Sequence, residues 1–245
     1  MTTRFSITID TEPDYKTGKF NEMKRGLEEA KKLFDKHSIK PTLFVTCDCI
    51  EKHPSLFRKL KKAGWEISLH GYRHLRFDEM SLMEKEVQIK KALACFKKYL
   101  NSKPSGLRAP QFSSEFQLLQ LIDKYGFKYD SSKVQFPLSQ LIFFRNKFNL
   151  YWNHIFFESR IRKNKLNIKE IPVSSFGLPI SMFVLRKLPF PLFLALTKLS
   201  TILRSDKTII FLSHSYEFNS DNIKRLEKLI NHYKNAKFVR MDDLL

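Results

Sequence analysis

His70-Gly71-Tyr72-Arg73-His74 sets two imidazoles four residues apart, a spacing that in a helix or tight turn brings both rings to one side, where they can share a metal ion. Two histidines at this spacing are also common as a structural or solvent-facing pair. Their position directly after the strand-like stretch Trp65 to Leu69 favours the ligand pair. A catalytic zinc takes three protein ligands and keeps a water whose pKa falls to about 7, so a third ligand is required. Asp10-Thr11-Glu12-Pro13-Asp14 supplies three carboxylates, and an extended chain turns Asp10 and Glu12 to the same side. One can bind metal while the other takes a proton from its water. Asp14, beside Pro13, reads as a turn acid outside the ligand set. Arg108 is either a partner for a site carboxylate or half of a structural ion pair. His214, flanked by Ser213 and Ser215, suits a site. Asp130 either orients His214 or contacts substrate, or it caps a turn with Ser131 and Ser132. His37, His53, His154 and His232 receive no role.

The elements that must position these residues follow from hydrophobic periodicity. Arg4 to Asp10 alternates as a strand, and Asn21 to His37 carries Met23, Leu27, Ala30, Leu33 and Phe34 at helical spacing. The unit recurs as Pro41 to Thr46 then Pro54 to Ala63, Trp65 to His70 then Met83 to Leu100, and Gly106 to Ala109 then Ser113 to Tyr125. Phe127 to Asp130, Ile168 to Val173 and Thr208 to His214 read as further strands, Asp221 to Tyr233 as a helix, and Lys237 to Val239 as a short final strand. Strand and helix in alternation predict an α/β fold with a largely parallel sheet. No linker or repeat divides the chain, so residues 1–245 are expected to form a single domain. Asp10, His70, Arg108, Asp130 and His214 all fall at or just past the carboxyl end of a predicted strand, the edge at which α/β folds build active sites. That placement points to an enzyme.

With 245 residues, 42% hydrophobic and 28% charged, the composition is that of a globular chain and excludes a disordered or collagen-like polymer. The apolar stretch Leu188 to Thr197 is about half a bilayer span and is interrupted by prolines, so no transmembrane helix is predicted. The run from Met1 into Arg4 has no apolar leader core, and a cytoplasmic protein, acting at the inner membrane face if it meets a membrane, is the expectation. Cys47, Cys49 and Cys95 lack the spacing of zinc knuckles or redox pairs and read as buried, reduced thiols. A net charge of +19 favours an anionic partner, whether nucleic acid, a membrane face or a phosphate-bearing substrate. The chain carries none of the usual DNA or RNA recognition motifs, so no nucleic acid is expected.

Residues 141–204 break the alternation, with eleven Lys and Arg against Glu158 and Glu170. Phe143, Phe144, Phe148, Trp152, Phe156 and Phe157 can line one face of a helix or loop, followed by Arg160, Arg162, Lys163 and Lys165. This basic aromatic insertion either covers the core or makes peripheral membrane contact.

Taken in order, these stretches resemble the NodB-type polysaccharide deacetylases of carbohydrate esterase family 4 over nearly the whole chain. Thr8-Ile9-Asp10-Thr11-Glu12 resembles the first motif, Pro41-Thr42-Leu43-Phe44-Val45 the second strand, and His70-Gly71-Tyr72-Arg73-His74 the histidine motif. Leu107-Arg108-Ala109-Pro110-Gln111-Phe112 resembles the Arg-x-Pro-aromatic motif, Gly126 to Ser132 the strand after it, Glu170-Ile171-Pro172-Val173 the fourth motif and Phe211-Leu212-Ser213-His214 the last. The resemblance implies a deformed (β/α) barrel of about seven parallel strands.

It also implies amide or ester hydrolysis on acylated sugars. Asp10 would be the general base, Arg108 the group that holds it, His70 and His74 metal ligands, and His214 the general acid; the backbone N–H of Phe112 would help form an oxyanion hole. The family's first motif has adjacent aspartates, whereas Thr11 follows Asp10 here. Glu12 is therefore expected to join His70 and His74 around a divalent metal, zinc by default. The expected substrate is an N-acylated sugar or glycoconjugate, as a nucleotide- or lipid-linked precursor. The rivals are a metal-independent C–N hydrolase or lipid-linked formamido-sugar deformylase of the same fold and, from another class, a non-catalytic carbohydrate or membrane-surface binding protein. Sequence gives no oligomeric state.

Overall fold

The computed structural model describes residues 2–14, 17–135, 165–202, 204 and 206–245. Its organising element is β1 (Arg4–Thr11), buried along almost its whole length. Alternation sends Phe5, Ile7 and Ile9 outward against Met23, Leu27, Ala30, Leu33 and Phe34 of α1 (Asn21–Lys36), while Thr8 and Asp10 turn inward.

One edge of β1 is taken along its length by β9 (Thr208–His214), in register from Arg4 opposite Thr208 to Asp10 opposite His214. The other edge is divided. The short β10 (Lys237–Phe238) pairs with Arg4 and Phe5, and β2 (Thr42–Val45) pairs with Thr8 to Thr11. From β2 the sheet continues through β3 (Glu66–Leu69), β4 (Gly106–Leu107), β5 (Tyr129–Asp130) and β6 (Lys169–Glu170), every pair parallel. Past β6 the chain reaches the free edge of β9 through irregular contacts: Ser174 N–H donates to the Ile210 carbonyl (3.1 Å) and Leu212 N–H to that of Ile180 (2.9 Å). The sheet thus curls into a deformed barrel. Because β2 and β10 share one edge, its eight described strands occupy seven positions, in agreement with the expected architecture.

Outside the sheet lie α2 (Cys47–Lys52), α3 (Pro54–Lys62), α4 (Leu82–Leu100) and α5 (Phe116–Lys124). After a hairpin of β7 (Ser175–Phe176) and β8 (Leu178–Pro179) come α6 (Met182–Lys187), α7 (Phe190–Ile202) and α8 (Ser220–His232). Phe44, Tyr129, Ile171, Ile210, Val239, Met241 and Leu244 form a second core, which the C-terminal turn closes: Met241 N–H donates to Thr42 Oγ1 (2.9 Å) and Asp242 N–H to Glu66 Oε2 (3.0 Å). The three cysteines are buried and unpaired by disulfide, as expected, and burial pushes the Cys47 and Cys49 thiols up. Among the described residues no helix is long and apolar enough to cross a membrane. The aromatic stretch Phe143 to Phe157 with Arg160, Arg162 and Lys163 lies outside the described residues.

Gly26 of α1 lies against the carbonyl of Ser215, the residue after His214; a Cβ there would come 1.9 Å from that oxygen. Gly26→Ala is expected to force the helix and the His214 turn apart at a cost of about 1–3 kcal/mol. At roughly 2–4 °C per kcal/mol for a chain of this size, a thermal melt will read that as a fall of several degrees. An unchanged Tm would mean that the turn gives way freely.

Candidate metal and acid-base site

Parallel pairing brings strand ends together. Leu69 opposite Leu107 makes His70 and Arg108 neighbours, and Asp10 opposite His214 does the same across β1 and β9. His70 Nδ1 lies 2.7 Å from the Arg108 carbonyl, which can only accept, so Nδ1 carries the proton and the Nε2 lone pair is left facing Glu12 Oε2 at 3.7 Å. Gly71, at φ +92°, turns the chain back so that His74 Nε2 meets the same oxygen; a Cβ at Gly71 would stand 2.8 Å from the Arg73 carbonyl. The loop is held from below by α2, whose Cys47 N–H is shared between the carbonyls of Gly71 (3.2 Å) and Tyr72 (3.0 Å). The His70 and His74 rings are 5.2 Å apart, and one ligand atom each from Glu12, His70 and His74 falls within 4.8 Å of the others.

Burial alone would raise the Glu12 pKa, but the two imidazoles of His70 and His74 set against it outweigh burial and hold the carboxyl well below the usual range. Two imidazoles, one locked as a lone-pair donor, and an ionised carboxylate converging on one point fit a divalent cation. Glu12, not Thr11, stands against the histidines. Asp14 is a turn acid as expected: its carboxylate accepts from the N–H groups of Glu22 (3.0 Å) and Met23 (2.7 Å), capping the start of α1.

Beside the cluster, fully buried Arg108 distributes its guanidinium over four partners. Nη1 donates to Asp10 Oδ1 (2.7 Å) and Thr8 Oγ1 (2.9 Å), Nη2 to Ser131 Oγ (2.9 Å) and Nε to the Ser131 carbonyl (3.1 Å). The Phe44 ring lies 4.1 Å from the guanidinium carbon. Asp10 is thereby fixed through Oδ1, and among the described residues no donor reaches its Oδ2.

His214 is held by Glu217, to which the sequence reading gave no role of its own. Glu217 Oε2 accepts from the His214 backbone N–H (2.8 Å) and lies 3.2 Å from Nδ1, and the ring of Tyr216 stacks on the imidazole at 5.2 Å. Burial pulls the His214 pKa down, but the Glu217 hydrogen bond and the charges of Asp10, Glu217 and Glu12 outweigh it and raise it to about 9. The signal was a carboxylate three residues after the histidine, readable as a turn pair.

Two expected roles are corrected. The Phe112 N–H donates to the Ala109 carbonyl (3.0 Å), closing a turn in which Gln111 and Phe112 both have positive φ, so it is spent and offers nothing to an oxyanion. The aromatic here follows Pro110 by two positions, which puts it inside the turn. Asp130 is fully buried; its oxygens accept from the Ser132 N–H (3.1 Å) and Oγ–H (2.7 Å), and Ser132 Oγ accepts from the Ala109 N–H (2.7 Å). Asp130 therefore braces the Arg108 loop; His214 has Glu217 instead.

A family model described as polysaccharide deacetylase matches residues 3–129. The peptidoglycan deacetylase of Helicobacter pylori (strain ATCC 700392 / 26695) is 30% identical over 107 residues, 44% of this chain and 36% of that protein, so the match spans about a third of the relative's length. Among solved structures, a Mycobacterium smegmatis protein named for polysaccharide deacetylases superposes with a TM-score of 0.72 at 15% identity over 99% of this chain and 88% of that one. Puue allantoinase gives a TM-score of 0.70 at 16% identity over 98% and 88%. At these identities the structural likeness concerns the fold.

Proposed function

The chain belongs to the polysaccharide deacetylase family, and from that premise we propose that it is a hydrolase removing an N-acyl group, acetyl first among them, from a sugar or glycoconjugate. The observation that carries this reading is the convergence of Glu12, His70 and His74 within 4.8 Å, beside the Asp10–Arg108 pair and His214. A divalent cation held by those three ligands, zinc being the natural match, supplies charge that acidifies water and polarises an acyl carbonyl. Asp10, oriented through Oδ1, takes the proton of the attacking water at Oδ2. His214, engaged by Glu217 at Nδ1, gives its proton to the leaving group from Nε2. An amine departs only once protonated, and an imidazole that keeps its proton up to about pH 9 suits that task, which favours amide over ester substrates.

Two measurements test this together: metal content, and acetate release from a panel of N-acetylated amino sugars. About one equivalent of zinc is expected, lost in Glu12→Ala and His74→Ala with activity. Undiminished metal in Glu12→Ala removes that carboxylate from the site, and activity that survives exhaustive chelation supports the metal-free C–N hydrolase, the rival that Thr11 keeps open.

The pH profile follows from the direction of the His214 shift. The acid is charged below its raised pKa, so kcat is expected to fall as pH rises through about 9. Glu217→Gln removes the main supporting partner and should bring that limb to lower pH; an unmoved limb would assign it to another group.

The excess of positive charge supports a substrate bearing phosphate, a nucleotide- or lipid-linked precursor handled in the cytoplasm or at the inner membrane face. Equal kcat/KM for phosphorylated and unphosphorylated acylamino sugars would overturn this.

A further inference from the structure

Helix α7 is inverted relative to an ordinary surface helix. Its buried positions are Phe193, Thr197 and Ser200; Thr197 Oγ1 lies on the Leu194 carbonyl (2.7 Å) and the Tyr233 hydroxyl (2.6 Å), and Ser200 Oγ donates to the Thr197 carbonyl (2.8 Å). At about 100° per residue, Leu192, Leu199 and Ile202 fall together on the opposite side. Leu192 is 50% exposed, Leu199 36% and Ile202 70%. A helix that served only the core would turn these leucines inward and its hydroxyls to water. A contiguous apolar face of this kind marks a contact surface.

The surroundings of that face are basic. Lys198 stands at one edge of the exposed arc, and at the start of α7 a cleft of 590 Å³ is lined by Lys187, Phe190, Lys224, Arg225 and Lys228 with no acid among its lining residues. Lys228 Nζ sits 4.5 Å from the Phe190 ring, a cation resting on an aromatic at the first residue of the helix. Thirteen residues of helix reach only about 20 Å, too short to cross a bilayer but long enough to lie along its surface.

We propose that α7 docks the protein on an anionic lipid surface, with Leu192, Leu199 and Ile202 among the acyl chains and Lys187, Lys198, Lys224 and Lys228 against the headgroup phosphates. An apolar face with a cation at its edge and a basic cleft at the start of its helix matches the boundary between acyl chains and anionic headgroups. A second copy of the chain would bring the same cations to the same place, so like charge opposes self-association. The net charge of +19 works in the same direction as the local rim. This inference stands apart from the hydrolase reading, since none of its residues belongs to the metal and acid-base site.

The test is flotation of the full chain on vesicles of phosphatidylcholine alone and of phosphatidylcholine with one third phosphatidylglycerol. At low salt the protein is expected to float with the anionic vesicles and to stay behind with the neutral ones. The variants Leu192→Glu/Leu199→Glu/Ile202→Glu and Lys187→Glu/Lys224→Glu/Lys228→Glu should each cut the bound fraction by at least about tenfold, with acetate release from a soluble substrate and the circular dichroism spectrum unchanged. The charge-reversed triple keeps the test decisive if the apolar triple folds poorly. Failure to float on anionic vesicles, equal flotation on both kinds, or wild-type binding by the apolar triple would each overturn the proposal. One further result would also overturn it: a dimer in light scattering that the apolar triple disperses makes the face an interface between copies.

Discussion

Asp10→Asn is expected to lower kcat/KM for acyl release by about 10²–10⁴-fold while leaving the bound metal and KM close to wild type. The amide oxygen can still accept from Arg108 Nη1, so the side chain keeps its place, but the NH₂ that replaces Oδ2 has no lone pair with which to take a proton. Glu12, His70 and His74 are untouched by the change, so metal analysis separates loss of the base from loss of the cation. A variant that holds its metal and retains its rate would show that the proton goes elsewhere.

Arg108→Met is expected to unfold the protein more readily by about 3–5 kcal/mol, because it leaves the Asp10 carboxylate buried beside Thr8 with its cation gone. At roughly 2–4 °C per kcal/mol this is a fall in Tm on the order of 10 °C. The double variant Arg108→Met/Asp10→Asn removes the stranded charge as well, and should regain part of the stability but none of the activity. That split separates the pair's structural role from its chemical one. Arg108→Lys should rescue little, since one ammonium cannot serve Asp10, Thr8 and both acceptors of Ser131 from the position the planar fork occupies. Additive losses in the double variant would mean that the two side chains act independently.

Elements with a strong period were legible in the sequence. The spans of β9 and of α1 were read to within a residue because Thr208 to His214 is a short, nearly continuous apolar run buried on both faces, and the helical spacing of Met23, Leu27 and Leu33 is set by burial on one face. The approach of Glu12 to the histidines was legible for a similar reason: a period of two puts Asp10 and Glu12 on the same side whatever the rest of the chain does. Short or inverted elements were not. Six-residue α2 and α6 are too brief to show a period, and α7 buries two hydroxyls and exposes Leu192 and Leu199, so its apolar pattern does not mark its core-facing side. Glu217 escaped because its partner is three residues away in a 3₁₀ turn that only the structure defines. Phe112 was misassigned, and Asp130 was left open between the site and a turn with Ser131 and Ser132, because whether a backbone N–H or a carboxylate is free depends on how the loop closes.

The division of β1 between neighbours has a consequence for how the chain is made. Thr8 and Phe211, hydrogen-bonded in the finished barrel, are 203 positions apart, and β10 pairs with β1 from further along still. The first strand to be synthesised therefore waits for nearly all of the others before either of its edges is complete. During that interval Arg4–Thr11, rich in β-branched and aromatic residues, presents an open edge that another chain can pair with. Closing so distant a contact is slow, and production at low temperature or with a chaperone that covers that edge should raise the soluble yield. The same arrangement bears on partial products: Asp10 and His214 lie 204 positions apart, so a molecule cut short before Thr208 has one edge of β1 open along its length and lacks one of the two residues proposed to move protons.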